Sequence, residues 1–143
     1  MRRGLAVSGL RAVALAHAAL VLAQAVFAGR YLSGDAAGLR LHERNAELIV
    51  MLAFVQLVLA VLVWRPGRGP AWPALASLAL WLAEVAQMSL GYGRVLGVHV
   101  PLGVAIFGLT VVLAIGTWRL PMTGRERPVS GSPEDAGTRP AAS

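Results

Sequence analysis

Apolar residues fall in four long runs along the chain, over about 12–31, 45–64, 72–92 and 98–118, and polar or charged residues gather between them. Each run reaches the ~20 residues that an α-helix needs to cross about 30 Å of hydrocarbon. Inside a bilayer every backbone amide must find its partner within the protein, and four segments cannot close a barrel, so the runs are expected to be helices. The fold class read from this pattern is all-α, an integral membrane four-helix bundle over residues 1–121. A polar tail rich in Pro, Gly and Ser follows over 122–143, with too little apolar content to order it.

Composition agrees with that pattern. Of the 143 residues 57% are hydrophobic and 14% charged, against roughly 25% charged in ordinary soluble domains, and mean hydropathy is +0.65. Cysteine is absent, which excludes disulfides, thiolate metal sites and redox thiol pairs. The basic residues are all arginine and sit at the ends of the runs, forming no basic, aromatic-interleaved surface, so nucleic acid is not an expected partner. They read as topology signals. Arg2, Arg3, Arg11, Arg65, Arg68, Arg119, Arg125 and Arg127 flank the start of the first run, the middle connection and the end of the fourth run. Arg30, Arg40, Arg44 and Arg94 occupy the other two connections, and Arg139 is too far out in the tail to count. The positive-inside rule then places both termini and the middle connection in the cytoplasm, for a multi-pass chain of the cell membrane. The basic, alanine-rich start also has features of a cleavable signal, but its apolar run exceeds the about 7–15 residues of a usual signal core, and it is read as a span. The lipid bilayer is the implied surrounding, with a second copy or a membrane-complex subunit as further partner classes.

The two halves share an order of landmarks. Gln24 and Gly29 close the first run, His42 opens the second, and Trp64-Arg65 ends it; Gln87 and Gly91 close the third, His99 opens the fourth, and Trp118-Arg119 ends that. Two helical hairpins related by an axis along the membrane normal would give this order, as parallel repeats do. Counting ~1.5 Å per residue back from each tryptophan puts His42 roughly 33 Å and His99 roughly 29 Å above the cytoplasmic belt. If the second and fourth helices are diagonal, the two imidazoles face each other across the bundle at its outer edge. Bundle cores build cofactor sites from facing helices in this way, and imidazole is a good iron ligand. The alternative for both residues is an interfacial ring that reaches toward the headgroups.

Gln87-x-x-x-Gly91, a short outer loop, His99 at the start of the last helix and His42 at the start of the second resemble one four-helix half of the haem A synthase family, over about residues 12–119. Those enzymes join two such halves, and single-half relatives exist. The resemblance implies that His42 and His99 are axial ligands of haem b, with Glu43 and Glu47 the nearest carboxylates in sequence for orienting the rings. Two departures limit it. The glutamate that the synthases place three residues before the second-helix histidine is Leu39 here, and the outer-loop cysteine pair of many members is missing. The family's methyl oxidation is therefore not implied, which leaves haem handling or electron transfer.

Other polar residues within the spans have competing readings. Glu84, near the middle of the third run, is a functional candidate by position. With Gln24 at about the same depth and Gln87 nearby, it is read as a polar site in which a Gln–Glu pair ties helices together. Gln56 belongs to the same class, and His17 is expected to be a hydrogen-bonded interior histidine. Gly97, Gly103, Gly108 and Gly116 are small residues that let helices approach. No phosphate loop, HExxH motif or nucleophile elbow is present, and Gly91-Tyr92-Gly93 is a turn between spans. Three functional readings follow: a bis-histidine haem b membrane protein, a cofactor-free structural or assembly subunit, and a small-substrate carrier that uses Glu84.

Overall fold

The computed structural model describes residues 3–122, and residues 123–143 of the expected tail lie outside the described residues. The described chain is four helices: α1 (Arg3–Leu32), α2 (Ala36–Trp64), α3 (Trp72–Tyr92) and α4 (Leu96–Thr117). All four are long and apolar enough to cross a membrane. The protein is a membrane protein by this criterion, and its surface agrees. Leu5, Leu32, Met51, Leu75, Val104 and Val112 are exposed, whereas His17, Asn45, Gln56, Ser77 and Glu84 are buried. Water would favour the reverse distribution; hydrocarbon around the bundle and hydrogen bonds within it account for this one.

Two helices begin well before the apolar runs. α1 starts at Arg3 and α2 at Ala36, because single charged residues, Arg11 before the first run and Arg40, Glu43 and Arg44 before the second, end the apolar windows while the helical turns continue past them. Asp35 caps α2: its Oδ1 accepts from the Ala37 amide at 2.9 Å, and its Oδ2 accepts from Arg30 Nε at 3.0 Å and Nη2 at 2.6 Å. The chain reverses through Gly34 at φ +94°. Beyond the cap α1 and α2 nearly touch at Gly38, where a Cβ would lie 2.6 Å from the Tyr31 amide nitrogen. Only glycine fits there. The α3–α4 connection is equally tight, with Arg94 in the left-handed region at φ 55° and the Val95 amide donating to the Leu90 carbonyl. Since α4 starts at Leu96, Pro101 stands in its second turn, inside the helix and out of reach of the free N–H positions.

Each helix packs on its neighbours in sequence and α4 closes on α1, so α2 lies diagonal to α4 and α1 diagonal to α3. Small side chains make this closeness possible. Ala6, Val7 and Leu10 of α1 pack with Ala60 and Val63 of α2, Ala74 of α3 and Leu120 at one end of the bundle. Ala14, Val21, Ile49, Leu80, Ile106, Leu113 and Ala114 fill its middle. Arg11 closes the α1–α4 seam: its guanidinium donates to the carbonyls of Thr117 at 3.2 Å, Trp118 at 3.1 Å and Leu120 at 2.9 Å, and lies 4.9 Å from the centre of the Trp118 ring. These carbonyls lie at and just beyond the last turn of α4, where the helix itself supplies few donors.

Candidate functional site

His42 is in the second turn of α2 and His99 in the first turn of α4. The diagonal arrangement brings them together across the bundle, with ring centroids 6.1 Å apart and ring planes inclined by 54°. Each is held by the preceding helix through the same two bonds. His42 Nδ1–H donates to the Gln24 carbonyl at 3.1 Å while Gln24 Nε2 donates to the His42 carbonyl at 2.9 Å. His99 Nδ1–H donates to the Gln87 carbonyl at 2.9 Å while Gln87 Nε2 donates to the His99 carbonyl at 2.7 Å. A carbonyl can only accept, so both rings carry their proton on Nδ1 and keep the Nε2 lone pair free.

The neighbours of this pair are small or adjustable. A Cβ on Gly91 would lie 3.0 Å from His99 Cε1, and a Cβ on Gly103 would lie 2.8 Å from Gln87 Nε2. Gly91 thus lets the His99 ring sit against α3, and Gly103 leaves room for the amide that holds it. Both histidines are half-buried. Glu43 and Glu47, the carboxylates expected to orient the rings, are exposed; main-chain carbonyls fill that role because α1 and α3 lie beside the rings.

A second polar cluster lies deeper. His17 on α1 meets Glu84 on α3 across the other diagonal, Nε2 to Oε1 at 2.5 Å. Its Nδ1–H donates to Gln56 Oε1 at 3.1 Å, and Gln56 Nε2 donates to Ser77 Oγ at 3.3 Å. The Gln24–Glu84 tie expected from depth is not formed. Gln24 is engaged on α2, where Asn45 Nδ2 donates to its Oε1 at 2.6 Å, and the residue that reaches Glu84 is His17, seven positions earlier on α1. The structure thus divides Gln24, Glu84 and Gln87: the two glutamines hold the histidine pair, and Glu84 belongs to the deeper cluster. Asn45 went unread although its spacing of three from His42 puts both on one helical face.

Among the described residues no three His, Cys, Asp or Glu side chains cluster as a metal site. A bare ion between the histidines would find two protein ligands, whereas a macrocycle brings four of its own. Iron at about 2 Å from each Nε2 sets the ring centres roughly 6 Å apart, close to the spacing here. A ligating histidine commonly gives its other N–H to a carbonyl, as both do here. The residues present therefore fit an axially ligated haem. Comparison with models of known families, with curated proteins and with solved structures gives no match.

Proposed function

We propose that this is a multi-pass protein of the cell membrane, with both termini cytoplasmic and its two hairpins forming a parallel repeat, that binds one haem b between His42 and His99. The observation that carries the reading is the facing pair of imidazoles, 6.1 Å between centroids, each locked by a carbonyl in the tautomer that offers Nε2. Two interfacial histidines reaching independently for headgroups would have no reason to share this geometry. The matching Gln–His bonds in the two hairpins support the repeat, and the arginine distribution supports the topology.

Bound there, haem would supply one-electron redox chemistry or be the cargo of a handling step. The protein's own part is to fix both rings through Gln24 and Gln87 at the half-buried outer end. The synthase-like oxidation is not proposed, because Leu39 offers no carboxylate beside the pair. Titration of haemin into the haem-free protein in mild detergent tests the reading. The expected result is a low-spin b-type spectrum that saturates at one haem per chain; the absence of a saturable low-spin species contradicts it.

A cofactor-free structural subunit is the second reading. The observation in its favour is that the His17–Glu84–Gln56–Ser77 cluster joins α1, α2 and α3 with no added group.

A further inference from the structure

The His17–Glu84 pair has no part in holding haem, yet it is a costly feature to place in the middle of a membrane protein. The two residues are 0% and 4% exposed and are the only titratable groups among the buried residues described. The pair is joined by Gln56 of α2 and, through it, Ser77 of α3, and the other buried polar residues described are Asn45 of α2 and Thr110 and Thr117 of α4, none of which titrates in the accessible range. No charge from α2 or α4 is buried with the pair to fix its protonation.

The hydrogen bonds fix its proton count. With Nδ1–H given to Gln56 Oε1, the 2.5 Å contact between His17 Nε2 and Glu84 Oε1 must contain one proton, since two bare lone pairs would repel. The other carboxyl oxygen, Glu84 Oε2, is buried and meets no donor, and Gln87 Oε1 is likewise a buried acceptor without a donor. These residues are three apart on α3 and so share a face about 4.5 Å apart along the axis. One added proton resolves both. Carried on Oε2, it turns that oxygen into a donor and gives Gln87 Oε1 a hydrogen to accept, directly or through one water. Gln87 is also the residue whose main chain and side chain hold His99, which places it between Glu84 and the half-exposed histidine end.

We propose that the His17–Glu84 pair is a proton-binding site that takes up one proton at Glu84 Oε2 when the iron held by His42 and His99 is reduced. The proposal rests on the haem reading above. In the balanced step an external one-electron reductant gives one electron, bulk water at the histidine end gives one proton, and the pair keeps that proton until reoxidation. The physical reason is that a change of one charge at the iron is weakly screened in the bundle interior, and a proton close by offsets it.

The test is potentiometry of the haem-loaded full chain in detergent, from about pH 5 to pH 8, for wild type, Glu84→Gln and His17→Gln, with visible spectra recorded at each point. The wild-type midpoint potential should fall with rising pH over part of this range, toward the limit of about 59 mV per tenfold change in proton concentration for a one-electron couple. Folded variants with an unchanged low-spin spectrum should lose that dependence, or show it displaced by more than about one pH unit. A pH-independent wild type overturns the proposal and leaves the haem reading standing. So does either folded, haem-loaded variant that keeps the wild-type curve. A chain that binds no haem overturns both.

Discussion

His42 and His99 are each gripped at two atoms, and that double grip gives single substitutions around them defined effects. Gly103→Ala puts a methyl 2.8 Å from the Gln87 amide nitrogen, at the far end of a flexible side chain, so the helix survives while the amide leaves the His99 carbonyl. We predict an intact fold and about tenfold weaker haem binding, the lower end of what losing an orienting partner costs; haemin titration of this variant against wild type measures it. Glu84→Leu acts elsewhere. It leaves His17 Nε2 buried without a partner and should lower stability by about 1–3 kcal/mol, read by thermal unfolding in detergent, whereas Glu84→Gln keeps an acceptor and a donor at nearly the same place and should lose less. The importance of Glu84 was legible in the sequence from its position in an apolar run. Its partner was not, because the choice between His17 and Gln24 depends on how far α1 extends below the span and on which helices are diagonal, and neither quantity appears in a hydropathy pattern.

The ends of the helices carry the interactions that set their register. At the α4 terminus Arg11 supplies the donors for three carbonyls, and Arg11→Ala is expected to cost about 1–2 kcal/mol and to loosen α1 from α4. Arg11→Lys should recover only part of that, since an ammonium cannot fork across several acceptors; thermal unfolding of both variants checks the order. At the start of α2 the Arg30 guanidinium and the Ala37 amide hold the Asp35 carboxyl below its ordinary range. A depressed carboxyl pKa stabilises the fold above the unfolded value of about 3.9 and loses that contribution as pH falls through the folded value. The stability difference between wild type and Asp35→Asn should therefore shrink on acidification below about pH 4 and stay constant above about pH 5, as thermal melts across that range would show. The existence of the four helices was readable from run length. Their true starts were hidden because Arg11 interrupts the apolar pattern of α1 and Arg40, Glu43 and Arg44 that of α2, although the helices run through these residues from Arg3 and from the Asp35 cap.

At the scale of the whole molecule, the four helices alternate in direction, so both ends of the described chain lie at the end of the bundle away from the histidine pair. The proposed orientation puts that end in the cytoplasm. Single-cysteine variants at Ser33 and Ser130 test it with a membrane-impermeant thiol reagent on intact cells: labelling at position 33 alone is expected, and labelling at 130 contradicts the orientation. The diagonal placement of α2 and α4 turns two residues 57 apart in sequence into a pair. The central claim is that this pair ligates haem iron, and the reduced-minus-oxidised visible spectrum of protein purified from haem-supplied cells tests it most directly, compared among wild type, His42→Ala, His99→Ala and His17→Ala. We predict a low-spin b-type spectrum for wild type and His17→Ala, and its loss or conversion to a high-spin form in each of the other two. A colourless wild type, or a low-spin spectrum unchanged in His42→Ala and His99→Ala, would contradict the account.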